Sequence, residues 1–223
     1  MTRSIILAPG EFYHIYNRGT DKRKVFLNPA DYKRFIALLY LCNSTDPVRM
    51  DMRRKFLNQI FKTKRSETLV DIGSYCLMPN HFHLLIREKN ENGISLFMQK
   101  LTTAYTMYFN KKYERNGSLF QGTFKVRHID TDNYLKYLFA YIHLNPIKLI
   151  EPRWKEKKIG NITKARKFME NYLYSSYSEY IGLDREQKAI LTIETFPKYF
   201  KDGNDFRNTL ESWLNFEPES EII

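Results

Sequence analysis

Hydrophobic and polar positions change period several times along this chain, and each change marks an element. Residues 11–18, EFYHIYNR, alternate loosely and stop at Gly19, which predicts a first strand. A polar, basic loop follows, with Asp21, Lys22, Arg23 and Lys24. Asn28-Pro29-Ala30-Asp31 then opens a helix to residue 42, with Pro29 in its first turn and Phe35, Leu38, Leu39 and Leu41 as its apolar stripe. Residues 48–66 are heavily charged, and Phe56, Ile60 and Phe61 give them a thin apolar face, the pattern of a short exposed helix. Residues 69–77 and 81–87 read as strands joined by Met78-Pro79-Asn80, a link so short that it predicts an antiparallel pair. Phe97, Leu101, Tyr105 and Tyr108 recur at helical spacing, predicting a long helix over 94–113. Residues 119–129 are extended again. Asp130, Thr131, Asp132 and Asn133 offer caps to a helix over 132–145, which Pro146 ends.

The order strand, helix, strand pair, helix, strand, helix predicts an α+β fold. One layer of antiparallel strands under helices buries both sets of apolar faces, and a ferredoxin-like sheet is the natural form. The charged stretch at 48–66 becomes an insertion in a domain spanning 1–180, and 181–223 becomes an accessory helical tail.

Charge narrows the function. In 223 residues, 36 Lys and Arg face 25 Asp and Glu, a formal net charge of +11, which points to nucleic acid as partner. Sixteen tyrosines suit a polar surface able to stack on bases. Two cysteines, Cys42 and Cys76, exclude a disulfide scaffold and a four-thiolate zinc site. No stretch reaches the length of a membrane span, and the apolar run near the N-terminus is too short for a signal peptide. The expectation is a cytoplasmic, nucleoid-associated protein with no membrane partner and no nucleotide cofactor.

Two short motifs carry candidate chemistry. Side chains two apart on a strand share a face, so His81 and His83 emerge side by side with Phe82 on the opposite face. Such a pair is either a platform for a divalent metal or a structural accident. In Tyr141-Ile-His-Leu-Asn-Pro146, Tyr141 and Asn145 share a helix face, with Tyr137 one turn earlier, while His143 points away towards packing. Asn145 can then offer its carbonyl oxygen as a third ligand. A metal at His81, His83 and Asn145 would polarise a phosphate, and a phenolate from Tyr141 would attack it to form a phosphotyrosine. Neither motif contains a Glu or Asp to activate water, which disfavours simple hydrolysis.

Together these motifs resemble those of the IS200-like and REP-associated tyrosine transposases, single-tyrosine members of the His-hydrophobe-His (HUH) endonucleases. The resemblance rests on Phe12-Tyr-His-Ile-Tyr-Asn-Arg-Gly19, Leu77-Met-Pro-Asn-His-Phe-His-Leu-Leu85, Leu119-Phe-Gln-Gly-Thr-Phe-Lys125, Tyr141-Ile-His-Leu-Asn-Pro146 and Tyr174-Ser-Ser-Tyr177, over roughly residues 8–180. It implies Mg²⁺ or Mn²⁺ at His81 and His83, with Asn145 on the metal side. It implies Tyr141 as the nucleophile that takes a 5′-phosphate and frees a 3′-hydroxyl, on single-stranded DNA beside a hairpin repeat. It also implies either a monomer or a homodimer that exchanges the tyrosine helix. Arg18, Lys22, Arg23, Gln121, Lys125 and Arg127 become candidate DNA contacts, as does Tyr13 or His14 on the first strand. A rival reading is a DNA hairpin-binding regulator, domesticated or without catalysis.

Overall fold

The computed structural model describes residues 6–47, 57–154, 156 and 159–215. Four strands form one sheet: β1 (Phe12–Arg18), β2 (Val70–Met78), β3 (His81–Glu88) and β4 (Lys125–Ile129). Their spatial order is β2-β3-β1-β4, and every pairing is antiparallel. With α1 (Pro29–Leu41) between β1 and β2, and a long helix between β3 and β4, the β-α-β-β-α-β order is the expected ferredoxin-like topology.

Each strand's alternation sorts its side chains between two layers. Tyr13, Ile15, Phe82, Leu84 and Ile86 face one core, which α1 covers with Phe35, Leu38 and Leu39. Asn28 starts α1: its Oδ1 accepts from the Ala30 and Asp31 amides, and Asp31 accepts from the Asn28 amide in return, a capping box. A short turn of helix, α2 (Leu57–Ile60), precedes β2. The charged helix expected over 48–66 is described only from residue 57; residues 48–56, with Arg49, Arg53, Arg54 and Lys55, lie outside the described residues. Arg65 is no solvated charge. Its guanidinium sits 3.7 Å from the Tyr40 ring centroid and donates to the Tyr40 and Ala189 carbonyls.

The long helix, α3 (Gly93–Lys112), buries Ile94, Phe97, Met98, Leu101, Tyr105 and Phe109 in the same layer. Gly93 fits where it does because a Cβ there would stand 2.3 Å from the Leu69 carbonyl oxygen. The buried carboxylate of Glu88 accepts from the Ile94 amide at 2.9 Å and caps the same end.

The opposite face of the sheet carries Cys76, Met78 and Leu85, on which α4 (Asp132–Leu144) lays Leu135, Leu138, Phe139 and Ile142. Burying each of these large apolar side chains is worth about 1.5–3 kcal/mol, which fixes the roll of α4 and therefore where Tyr141 points. Pro146 does not end this helix abruptly. Asn145 keeps right-handed helical angles, and the chain tightens into a 3₁₀ turn, Asn145–Leu149, with Pro146 in its first turn, where no amide is needed.

The remainder wraps this frame. After α5 (Ile162–Asn171), residues 174–176 run along the outer edge of β2. The Leu77 amide donates to the Tyr174 carbonyl and the Ser176 amide to the Tyr75 carbonyl. A single turn, α6 (Tyr177–Tyr180), follows, and the final helix is α7 (Gly203–Asn215). The segment beyond 180 enters all three apolar clusters: Ile190 and Leu191 join the first, Phe196 the second, and Phe206, Leu210 and Leu214 a third with Ala140, Leu144 and Ile147. Phe196 reaches its place because Gly73, at a bulge in β2, leaves room; a Cβ there would meet the ring at 2.7 Å.

Candidate active site

Four rings meet where α4 crosses β1 and β3. His81 and His83 lie on the α4 side of β3, with ring centroids 4.9 Å apart. The pairing register sets Arg18 opposite His81 and Tyr16 opposite His83. Tyr141 comes down from α4 with its ring 5.5 Å from that of His83 and 5.9 Å from that of His14, edge-on to both. His14 lies diagonally across from His83, and its Nε2 is 2.8 Å from His83 Nδ1. Both of those imidazoles are buried.

The polar atoms around these rings are mostly accounted for. His81 Nδ1 lies 2.6 Å from Asn80 Oδ1. Asn80 is oriented by its own amide, which donates to the Lys22 carbonyl at 3.2 Å. An amide oxygen can only accept, so the His81 proton sits on Nδ1 and Nε2 keeps its lone pair. Asn145 donates from Nδ2 to the Tyr141 carbonyl at 2.8 Å. Its Oδ1 is buried and has no hydrogen-bond partner. A buried amide oxygen left unpaired costs about 1–3 kcal/mol. An unpartnered carbonyl oxygen and imidazole nitrogens from His81 and His83 are the donor types that a small divalent cation takes. Among the described residues no three His, Cys, Asp or Glu side chains gather as a metal cluster. A cation here would therefore depend on the Asn145 carbonyl and on substrate oxygens.

Electrostatics keep His81 and His14 neutral. Burial, then the cations of Lys148 and Arg18, pull His81 down to about 4. Burial, then Arg127, pulls His14 to about 3. The Tyr141 phenol moves the other way: burial and the neighbouring phenols of Tyr137 and Tyr134 push it up to about 12, against an opposing hydrogen bond from Asn145. At neutral pH His14 and His81 are thus neutral and Tyr141 is a protonated phenol.

The basic candidates divide by face. Lys125 pairs opposite Tyr16 and Arg127 opposite His14, so both exposed cations lie on the α4 side, beside the rings. Arg127 also stands 4.7 Å over the Tyr134 ring. Gln121 is exposed, and its amide donates to the Arg18 carbonyl, which ties the 119–122 segment to the end of β1. Lys22 and Arg23 lie on the 3₁₀ turn after β1, next to Asn80, but Arg23 is already held by Asp21 and the Thr20 carbonyl. Tyr13 is out of reach: its ring is buried in the opposite layer, and its hydroxyl accepts from the Ala8 amide.

His143 packs away from the site, as its helix phase predicts. Its Nδ1 is 2.7 Å from the Phe139 carbonyl and its Nε2 2.7 Å from Ser176 Oγ. Ser176 also accepts from the Tyr75 amide, so this serine fastens α4 to β2. Sequence reasoning missed four contributors: Asn80, Lys148, Ser176 and the bond from His14. Asn80 and Ser176 stand inside quoted motifs, where spacing marked them without giving a role. Lys148 carried no local signal.

The fold is thus an α+β domain whose paired imidazoles face a helix-borne phenol across one side of an antiparallel sheet. The family model described as "Transposase IS200 like" matches residues 13–145, and this chain belongs to that family of DNA-cleaving enzymes. Among solved structures, a REP-associated tyrosine transposase bound to a REP hairpin aligns with a TM-score of 0.49 at 12% identity, over 84% of this chain and 89% of that one. The tRNA(His) guanylyltransferase of Saccharomyces cerevisiae aligns with a TM-score of 0.37 at 12% identity, over 89% and 83%. At these scores neither likeness carries a functional argument. No curated protein matches the chain. No described helix is long and apolar enough to cross a membrane.

Proposed function

We propose that this chain cuts and rejoins single-stranded DNA beside a hairpin, with Tyr141 as nucleophile. The observation that carries the reading is the Tyr141 ring 5.5 Å from His83 within a single chain, on the face that also bears Arg18, Lys125 and Arg127. The phenol oxygen attacks the scissile phosphorus. The new O–P bond forms as the bond to the 3′-oxygen breaks, the 5′-phosphate stays on Tyr141, and the departing oxygen takes a proton to become a 3′-hydroxyl. Attack by another 3′-hydroxyl reverses the step and joins strands without a nucleotide cofactor. His81, His83 and Asn145 would hold Mg²⁺ or Mn²⁺, which when bound supplies Lewis-acid polarisation of the phosphate. Arg18, Lys125 and Arg127 hold neighbouring phosphates and offset the charge that builds on the reacting one. Lys22, Arg23 and Gln121 extend that contact along the strand.

The test is incubation of labelled single-stranded hairpins with Mn²⁺, followed by denaturing gels and peptide mapping. A DNA adduct on Tyr141, lost in Tyr141→Phe while hairpin binding persists, supports the reading. Tight binding with no adduct at any metal concentration supports a hairpin-binding regulator instead.

A further inference from the structure

We propose that His14 is a positioning residue that sets the tautomer of His83 and so decides which nitrogen that histidine offers to a divalent cation. The inference rests on the metal reading above and adds a residue to it. Two imidazoles joined nitrogen to nitrogen hold one proton between those nitrogens, and there are two ways to place it. If His14 Nε2–H donates to His83 Nδ1, the proton of His83 must sit on Nε2, and its outward nitrogen cannot ligate. If His83 Nδ1–H donates to His14 Nε2, the lone pair of His83 is on Nε2, the nitrogen a metal would take.

The neighbouring histidine decides between these arrangements. Asn80 Oδ1 already holds the proton of His81 on Nδ1 and leaves Nε2 bare. In both histidines the partner within the protein meets Nδ1: Asn80 at 2.6 Å for one, His14 at 2.8 Å for the other. Two side chains on one strand face, each engaged at Nδ1, present a matched pair of Nε2 donors. The packing around His14 holds its Nε2 against His83 Nδ1. The two rings meet edge to edge, centroids 5.0 Å apart with 24° between their planes, and Tyr16 and Tyr141 close on His14 at 4.9 and 5.9 Å. At 7% exposure for His14 and 6% for His83, water does not replace the bond.

Mn²⁺ titration by calorimetry tests this on the full chain. His14→Leu should weaken Mn²⁺ binding about 10–100-fold. His14→Gln, whose side-chain oxygen can accept from His83 Nδ1–H, should restore most of the loss, which a merely space-filling role would not produce. ¹⁵N NMR of the metal-free wild-type protein should find the His83 proton on Nδ1, a measurement that needs no variant to fold. Unchanged affinity in His14→Leu while His83→Ala loses Mn²⁺, no rescue by Gln, or a proton on His83 Nε2 overturns the inference and leaves the metal reading standing. Wild-type protein that takes up no Mn²⁺ overturns the metal reading, and this inference with it.

Discussion

Tyr141 is a phenol at neutral pH, and its reactivity depends on losing that proton. Burial raises its value to about 12, so the phenolate is scarce near pH 7 and its share grows about tenfold for each pH unit below that value. Cleavage should therefore quicken as pH rises through the neutral and mildly alkaline range, and Asn145→Ala, which removes the opposing hydrogen bond, should slow it at every pH. Single-turnover rates across a pH series measure both. Asp31 shows the opposite sign. Burial pushes its carboxyl up, but Lys112, Tyr113, the Leu27 amide and Tyr108 all hydrogen-bond it and hold it below its ordinary 3.8. A depressed value stabilises the fold above the ordinary one, and the contribution drains away as pH falls through the folded value. Asp31→Asn should cost about 1.5–3 kcal/mol in urea unfolding near neutral pH and flatten the acid limb of the stability curve. Legibility at this scale followed the number of strands involved. His81 and His83 share a face by alternation within one strand, and Tyr141 and Asn145 by phase within one helix. The bond from His14 depends on the β1–β3 register, which no local pattern encodes.

The element that matters most is α4, since it carries Tyr141, the proposed nucleophile, and must keep its roll against the sheet. Four apolar residues seat it on β2 and β3, His143 reaches through Ser176 to Tyr75, and α7 packs on its far side with Trp213 against Tyr137, centroids 5.0 Å apart. Ser176→Val removes the shared hydroxyl and strands His143 Nε2, a buried acceptor. The expected loss is about 1–3 kcal/mol in thermal or urea unfolding, together with slower adduct formation and little change in hairpin affinity. Most elements were readable from periodicity because their apolar faces are regular. The α-helix ends at Leu144, just before the Pro146 stop, but the 3₁₀ turn that continues it left no signal, since its first turn needs no amide at the proline. The fourth strand reads as extended over 119–129, but only 125–129 form a strand of the sheet, because the segment before them bends.

At the scale of the molecule, the net charge of +11 sets how the chain meets DNA. Hairpin affinity should fall steeply with salt, and Lys125→Ala or Arg127→Ala should each flatten the log–log slope by about 0.7, the share of one phosphate contact on a single strand. The tail was legible as helices but not in its placement, because its contacts with distant strands leave no periodic trace. Truncation after residue 180 should abolish cooperative unfolding, since it strips Ile190, Phe196, Phe206 and Leu210 from three apolar clusters at once. Scanning calorimetry would detect the loss. The backbone of residues 174–176 laid along β2 has a further consequence. A bare, apolar β2 margin would be a template on which another copy could add its own strand, the first step towards fibrils. Here that margin is already occupied by the chain itself, and the opposite one, β4, is five residues long and carries Lys125 and Arg127, whose like charges would oppose a second copy. Concentrated solutions of this protein should therefore stay free of thioflavin-binding aggregates until the 174–176 segment is pulled from its place.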